Sequence, residues 1–259
     1  YVGTGGHFEV GANGGRGYFF VGSGIHKLTG GGNFELIVGP KSRLNNSINW
    51  ATVGQIAADP NDANILYAAM NDGVRKIDMS GIEPEVTDPI GKDDSANDVD
   101  ITDDGKIIFS YRDGQVYTSH DNGKNFVLNS FPNTRRIEVS FAPSNSNIVY
   151  AAVVSNNSCL FGIFRSSNGG ISWDRISPAT SSTFDMFRSG SRCQGFWDNT
   201  IAVYPNDPGK ILVGGIVLYR WEQSSVDPAP PNGSWNQIDV LFNRTAAGVR
   251  IPNYIHADK

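Results

Sequence analysis

The chain has 259 residues, 21 Lys and Arg against 26 Asp and Glu, and a net charge of −5. Hydrophobic residues make up 39%, aromatic residues 11% and charged residues 18%, a mix too apolar for a disordered chain and too poor in charge for a coiled coil. The acidic balance without a basic cluster argues against nucleic acid as a partner, and no apolar run reaches the ~18 residues of a bilayer-spanning helix.

The chain opens on Tyr1 rather than Met, as a processed secreted protein or a trimmed fragment would. The glycine-rich stretch at residues 11–17 reads as a flexible approach to a strand, because no Lys-Ser/Thr follows to make a phosphate cradle. Short runs with period-two alternation come next, at 18–21, 24–28 and 34–38, and predict three strands of a first repeat. No window of a dozen residues carries an apolar helical stripe free of Gly or Pro.

From residue 56 onward the chain repeats itself. Residues 56–69 (IAADPNDANILYAA) are echoed by 139–152 (VSFAPSNSNIVYAA), with Pro60 preceding Tyr67 by the same interval as Pro143 precedes Tyr150. A third copy is 201–215 (IAVYPNDPGKILVGG), and a worn fourth is 99–109 (VDITDDGKIIF). Each reads as strand, polar turn, strand, and Pro60, Pro143 and Pro205 fall where the first strand has ended and no ladder N–H is needed. A third run follows at 73–78, 114–119, 160–165 and 216–221, and a fourth around 126–128, 173–176 and 235–239. Four antiparallel strands recurring about every 40 to 60 residues predict the blade of a β-propeller. The expectation is one all-β domain over residues 1–259, a β-propeller of four-stranded antiparallel blades. About five are visible, and the ring is incomplete at the C-terminus, where His256 would open a further blade.

Two turns between third and fourth strands share a pattern. Ser119-His120-Asp121-Asn122-Gly123-Lys124-Asn125-Phe126 and Ser166-Ser167-Asn168-Gly169-Gly170-Ile171-Ser172-Trp173 both fit Ser-x-(Asp/Asn)-x-Gly-x-x-aromatic. In such a turn the Asp or Asn accepts backbone N–H groups, Gly supplies positive φ, and the aromatic packs beneath. Ser119, Asp121, Gly123, Phe126, Ser166, Asn168, Gly170 and Trp173 are therefore read as turn staples rather than as a site. The pattern resembles the Asp-box, or bacterial neuraminidase repeat, of sialidases, sortilin-type receptors, xyloglucanases and many secreted bacterial propellers. The 59–69 and 142–152 runs resemble the latter groups more than the sialidases. Residues 194–203 (QGFWDNTIAV), then Gly214-Gly215 and His256-Ala257-Asp258, resemble large surface proteins exported by the type IX secretion system. That resemblance implies export and a place outside the cell; the C-terminal sorting domain that would confirm it is not in this chain. It also brings to notice Asp94-Ser95-Ala96, a short O-glycosylation pattern reported for such proteins, whose plain reading is an exposed polar loop.

In propellers, ligands gather where loops lead into the innermost strands. Here those loops offer Asn49 and Trp50, Asn97 and Asp98, Arg135 and Arg136, Gln194, Trp197 and Asp198, and His256 and Asp258. The candidate ligand-binding set is Trp50, Asp98, Arg136, Trp197, Asp198, His256 and Asp258, with Trp50 or Trp197 as stacking platform and the acids as acceptors. The same positions equally suit a solvated channel with structural water. Asp98 and Asp198 could be the facing carboxylates of a glycoside hydrolase, as could several other pairs, and no motif demands a cation on Asp98, Asp198 and Asp258. Arg250 lies in an Arg-Ile-Pro string as in sialidases, but follows both Asp-box turns instead of preceding them. His7, His26 and His120 fall in runs read as strands or turns, at surface or edge positions, and belong to no paired catalytic motif. Neither a nucleophile elbow nor a His-Glu-x-x-His stretch is present, and no cofactor or metal is expected.

Cys159 and Cys193 are either two separate buried thiols or a disulfide of an oxidising compartment, and their spacing makes no zinc site. The functional expectation is an extracellular or cell-surface binding scaffold for glycans or protein partners. A glycoside hydrolase is the alternative, and a passive spacer a third reading.

Overall fold

A computed structural model describes residues 1–5, 22–39, 50, 52–179, 184–224 and 231–238. It falls into two compact units, residues 1–112 with 119–126, and residues 113–118 with 127–259. No α-helix occurs among the described residues, and none is long and apolar enough to cross a membrane.

In the first unit, β1 (Val2–Gly3), β2 (Ile25–Leu28) and β3 (Phe34–Val38) form an antiparallel sheet in that order. The strand expected at 18–21 lies outside the described residues; the partner of β2 on that side is β1. A four-stranded meander follows, β4 (Val53–Ala58), β5 (Ile65–Met70), β6 (Gly73–Asp78) and β7 (Glu85–Val86), hydrogen-bonded in chain order. The next repeat contributes β8 (Ala96–Ile101) paired with β9 (Ile107–Tyr111).

The second unit begins with β10 (Gln115–Ser119) against β11 (Val127–Ser130). Then come β12 (Thr134–Ala142), β13 (Asn145–Ser155), β14 (Leu160–Ser166) and β15 (Asp174–Arg175), again a meander in chain order. A short hairpin, β16 (Arg188–Ser189) and β17 (Arg192–Cys193), precedes β18 (Thr200–Tyr204), β19 (Asp207–Gly214), β20 (Leu218–Gln223) and β21 (Gly233–Gln237). These meanders are propeller blades.

Burial follows strand position within each blade. All six residues of β5 and all five of β9 are buried. A second strand covered on both faces needs continuous apolar or small residues, which is why Tyr-Ala-Ala recurs there. Fourth strands are short and exposed, as at β7, or carry exposed Val127 and Leu128 on β11. In the second unit Tyr150, Ala152, Val154 and Ile163 of one blade pack against Val203, Ile211, Val213 and Trp221 of the next. The Tyr150 and Trp221 rings lie 6.0 Å apart, and the Tyr150 hydroxyl donates to the Pro208 oxygen at 2.6 Å. Burial pushes that phenol up to about 12.

The two Ser-x-(Asp/Asn) turns are hydrogen-bonded alike. Asp121 Oδ1 accepts from the Lys124 and Asn125 amides at 3.1 and 2.9 Å, and Ser119 Oγ from the Gly123 amide at 2.9 Å. Asn168 Oδ1 accepts from the Ser172 amide at 2.9 Å, and Ser166 Oγ from the Gly170 amide at 2.8 Å. Gly123 and Gly170 have φ of 77° and 92°, where a Cβ would be strained. Phe126 packs against Phe109, and Trp173 against Phe131.

Three first strands, β4, β8 and β12, begin with a shared irregularity. The register slips between Val53 and Gln55, between Ala96 and Asp98, and between Thr134 and Arg136. A β-bulge at each point re-aims the side chains around it.

Candidate functional site

The bulges change where the candidate residues sit. Asn97, Asp98, Arg135 and Arg136 lie inside β8 and β12, not in the loops before them. The extra residue lets pairing start earlier than the repeat pattern shows.

In the first unit, Trp50 is half-buried against the cluster of Ile25, Val53, Leu66 and Met70, which uses its ring for packing. Asp98 is buried, and its Oδ1 accepts from the Val99 amide at 2.8 Å. Beside it, Asn97 is 3% exposed and neither end of its amide has a hydrogen-bond partner; the Thr52 hydroxyl, just before β4, is in the same condition. Such buried polar groups ask for water or a ligand hydroxyl. Ser95 is half-buried beside exposed Asp94, and its hydroxyl donates to Asn71 at 3.1 Å.

In the second unit the structure brings Arg136, Trp197 and Asp198 together. The Arg136 guanidinium is buried and donates to the main-chain oxygens of Phe196 at 2.9 Å, Trp197 at 2.8 Å and Asn199 at 3.2 Å. Its Nε donates to Glu138 at 2.7 Å. Arg136 is thereby a staple for the 196–199 segment rather than a group turned toward a ligand. Its neighbour Arg135 lays its guanidinium 3.9 Å from the centre of the Phe196 ring, and Phe196 meets Trp197 edge-on at 4.9 Å. The Gln194 oxygen accepts the Trp197 and Asp198 amides at 2.7 and 2.9 Å, and Asn199 Nδ2 donates to Ala152 at 2.9 Å. Every turn of this loop is bonded, yet the Trp197 side chain is 40% exposed, with half-buried Asp198 next to it. A large aromatic held by its backbone and open to solvent loses little entropy on binding.

The disulfide Cys159–Cys193 ties the residue just before β14 to the end of β17, across 34 residues. Against it lies Asp185, whose side chain is fully buried; it accepts from the Phe187 and Leu160 amides at 3.0 and 3.2 Å and faces Arg188 at 3.6 Å. Burial raises this carboxyl, against the pull of those amides and Arg188. Cys159, Asp185 and Cys193 converge within 4.8 Å, but with both sulfurs bridged they offer a metal a single carboxylate.

His7, Asn49, Arg250, His256 and Asp258 lie outside the described residues. Sequence reasoning missed Thr52, Phe196 as the support of Trp197, and Asp185. Thr52 and Asp185 belong to no motif, and Phe196 was visible only as part of the 194–203 stretch beside Trp197.

No family model matches the chain, and no curated protein matches it. Among solved structures it is similar to an ancestral GH74 enzyme, with 19% identity and a TM-score of 0.52 over 74% of this chain and 26% of that one. It is also similar to the GH74 enzyme of Niastella koreensis, with 15% identity and a TM-score of 0.54 over 92% of this chain and 38% of that one. The chain thus spans well under half the length of either. Both are propeller proteins, and the likeness shows the fold: an all-β propeller of four-stranded antiparallel blades.

Proposed function

We propose that this propeller is an exported Asp-box scaffold that binds glycans or protein partners at the outer cell surface, with Trp197 as its contact platform and Asp198 as an adjoining acceptor. The observation that carries it is the exposed Trp197 ring on a loop stapled by Arg136 and backed by Phe196 and Arg135. Sugars and peptides both use a fixed aromatic face beside a polar acceptor. The disulfide supports an oxidising compartment, and the paired Ser-x-(Asp/Asn) turns support the Asp-box reading. A glycan array and a cell-surface protein array test it: the intact chain binds a defined set of ligands, and the Trp197→Ala variant loses that set. Two blank arrays would discard the reading.

The second reading is a glycoside hydrolase with Asp198 as one of its carboxylates, the class suggested by the GH74 neighbours. Asp98, the other candidate carboxylate, is only 4% exposed, which weighs against its use. A polysaccharide-hydrolysis screen with wild type and Asp198→Asn decides: turnover abolished by that change favours the enzyme.

A further inference from the structure

At the other end of the second unit's last two blades, away from Trp197, the strand-joining turns enclose a cavity of about 570 Å³. Asn145 and Asn147 at the start of β13, Arg165 and Ser167 around the end of β14, Asp207 at the start of β19 and Gln223 at the end of β20 line it. No aromatic side chain lines it among the described residues.

The informative member is Arg165. It is 93% buried by virtue of 7% exposure, and its Nε has no hydrogen-bond partner. Its register neighbour across β13 is Tyr150, a neutral phenol whose hydroxyl shares a hydrogen bond with the Arg165 side chain. Across β15 it faces Asp174, which is exposed and makes no ion pair with it. The acid on the cavity wall, Asp207, is already engaged: Oδ1 accepts the Gly209 amide at 3.0 Å, and Oδ2 pairs with Lys210 at 3.2 Å. Among the described residues Arg165 has no ion pair, and a buried cation held only by neutral partners is costly and leaves room for an anionic group to complete it. The cavity is too large for an inorganic anion alone and falls in the range of small-ligand sites. Its amides and hydroxyls suit a polyhydroxylated molecule.

We propose that this cavity binds the carboxylate of a uronic acid, free or within an acidic polysaccharide, with Arg165 taking the carboxylate and Asn145, Asn147 and Gln223 the ring hydroxyls. The site is separate from the Trp197 platform and does not depend on it.

Calorimetric titration of the full chain with galacturonate, glucose and sulfate tests the assignment. Galacturonate binds, while glucose and sulfate bind at least about 10-fold more weakly; Arg165→Gln weakens galacturonate about 10- to 100-fold, the worth of a charge-assisted contact. Because Arg165 is buried and its replacement puts the fold at risk, Ser167→Trp serves as a second variant, plugging the rim from an exposed position. It abolishes galacturonate binding with the melting temperature unchanged. Trp197→Ala leaves galacturonate binding intact, which separates this site from the proposed scaffold surface. The assignment is overturned by absence of galacturonate binding, by glucose or sulfate binding as well, or by full binding in a folded Ser167→Trp variant.

Discussion

Arg136 Nη1 donates to the main-chain oxygen of Trp197 at 2.8 Å, across 61 residues of sequence. The same guanidinium holds the oxygens of Phe196 and Asn199 and pairs with Glu138. A first strand thus governs the loop that leads into the next blade's first strand. Replacing Arg136 with Ala strands several buried acceptors and one carboxylate, each costing about 1–3 kcal/mol, and such losses within one network do not simply add. Arg136→Ala is expected to lose about 3–5 kcal/mol in urea denaturation, the range for breaking a buried pair. Arg136→Lys, which keeps the charge but not the planar fork, falls between the two. A change below ~1 kcal/mol would mean the staple is ornamental.

Trp197 exposes its ring while its backbone is bonded, so its removal separates binding from folding. Trp197→Ala is expected to shift the melting temperature little and to weaken ligand binding by about 2 kcal/mol, roughly 30-fold. A large drop in melting temperature with binding retained would reassign the ring to the core.

The Cys159–Cys193 bridge closes a 34-residue separation, for which chain entropy predicts about 3–4 kcal/mol. The double Ser variant should melt earlier by that equivalent, and reductant should lower the melting temperature of wild type without moving the variant. Identical curves with and without reductant for the wild type would contradict this.

Hydrogen bonds from Asn125, first from its side chain and then its amide, and from Ser119 hold the half-exposed Asp121 carboxyl down at about 2. Its unfolded value is about 3.9, so the stabilisation is complete above about pH 4 and is lost as pH falls through about 2. Asp121→Asn keeps the turn acceptor, as Asn168 does in the sister turn, but has no carboxyl to protonate. Its melting temperature should therefore fall less than that of wild type between about pH 5 and pH 2. Parallel profiles would show that Asp121 contributes nothing through its charge.

The blades were legible because their causes are local. A second strand buried on both faces must be apolar or small along its whole length, which makes residues 65–70 and 148–154 conspicuous. The Ser-x-(Asp/Asn)-x-Gly turns carry their own acceptors and their own positive-φ glycines. Fourth strands were placed less well: the strand expected at 235–239 is Gly233–Gln237, because an exposed edge imposes little on composition.

The sites were another matter. Arg135, Arg136 and Arg165 have the same side chain, yet one lies on Phe196, one staples three carbonyls and one lines a cavity with its Nε unpartnered. Residue type and spacing set which strands form and where they turn. What surrounds a polar side chain depends on a bulge that shifts it and on partners some sixty residues away, and those come into place only when blade packs on blade.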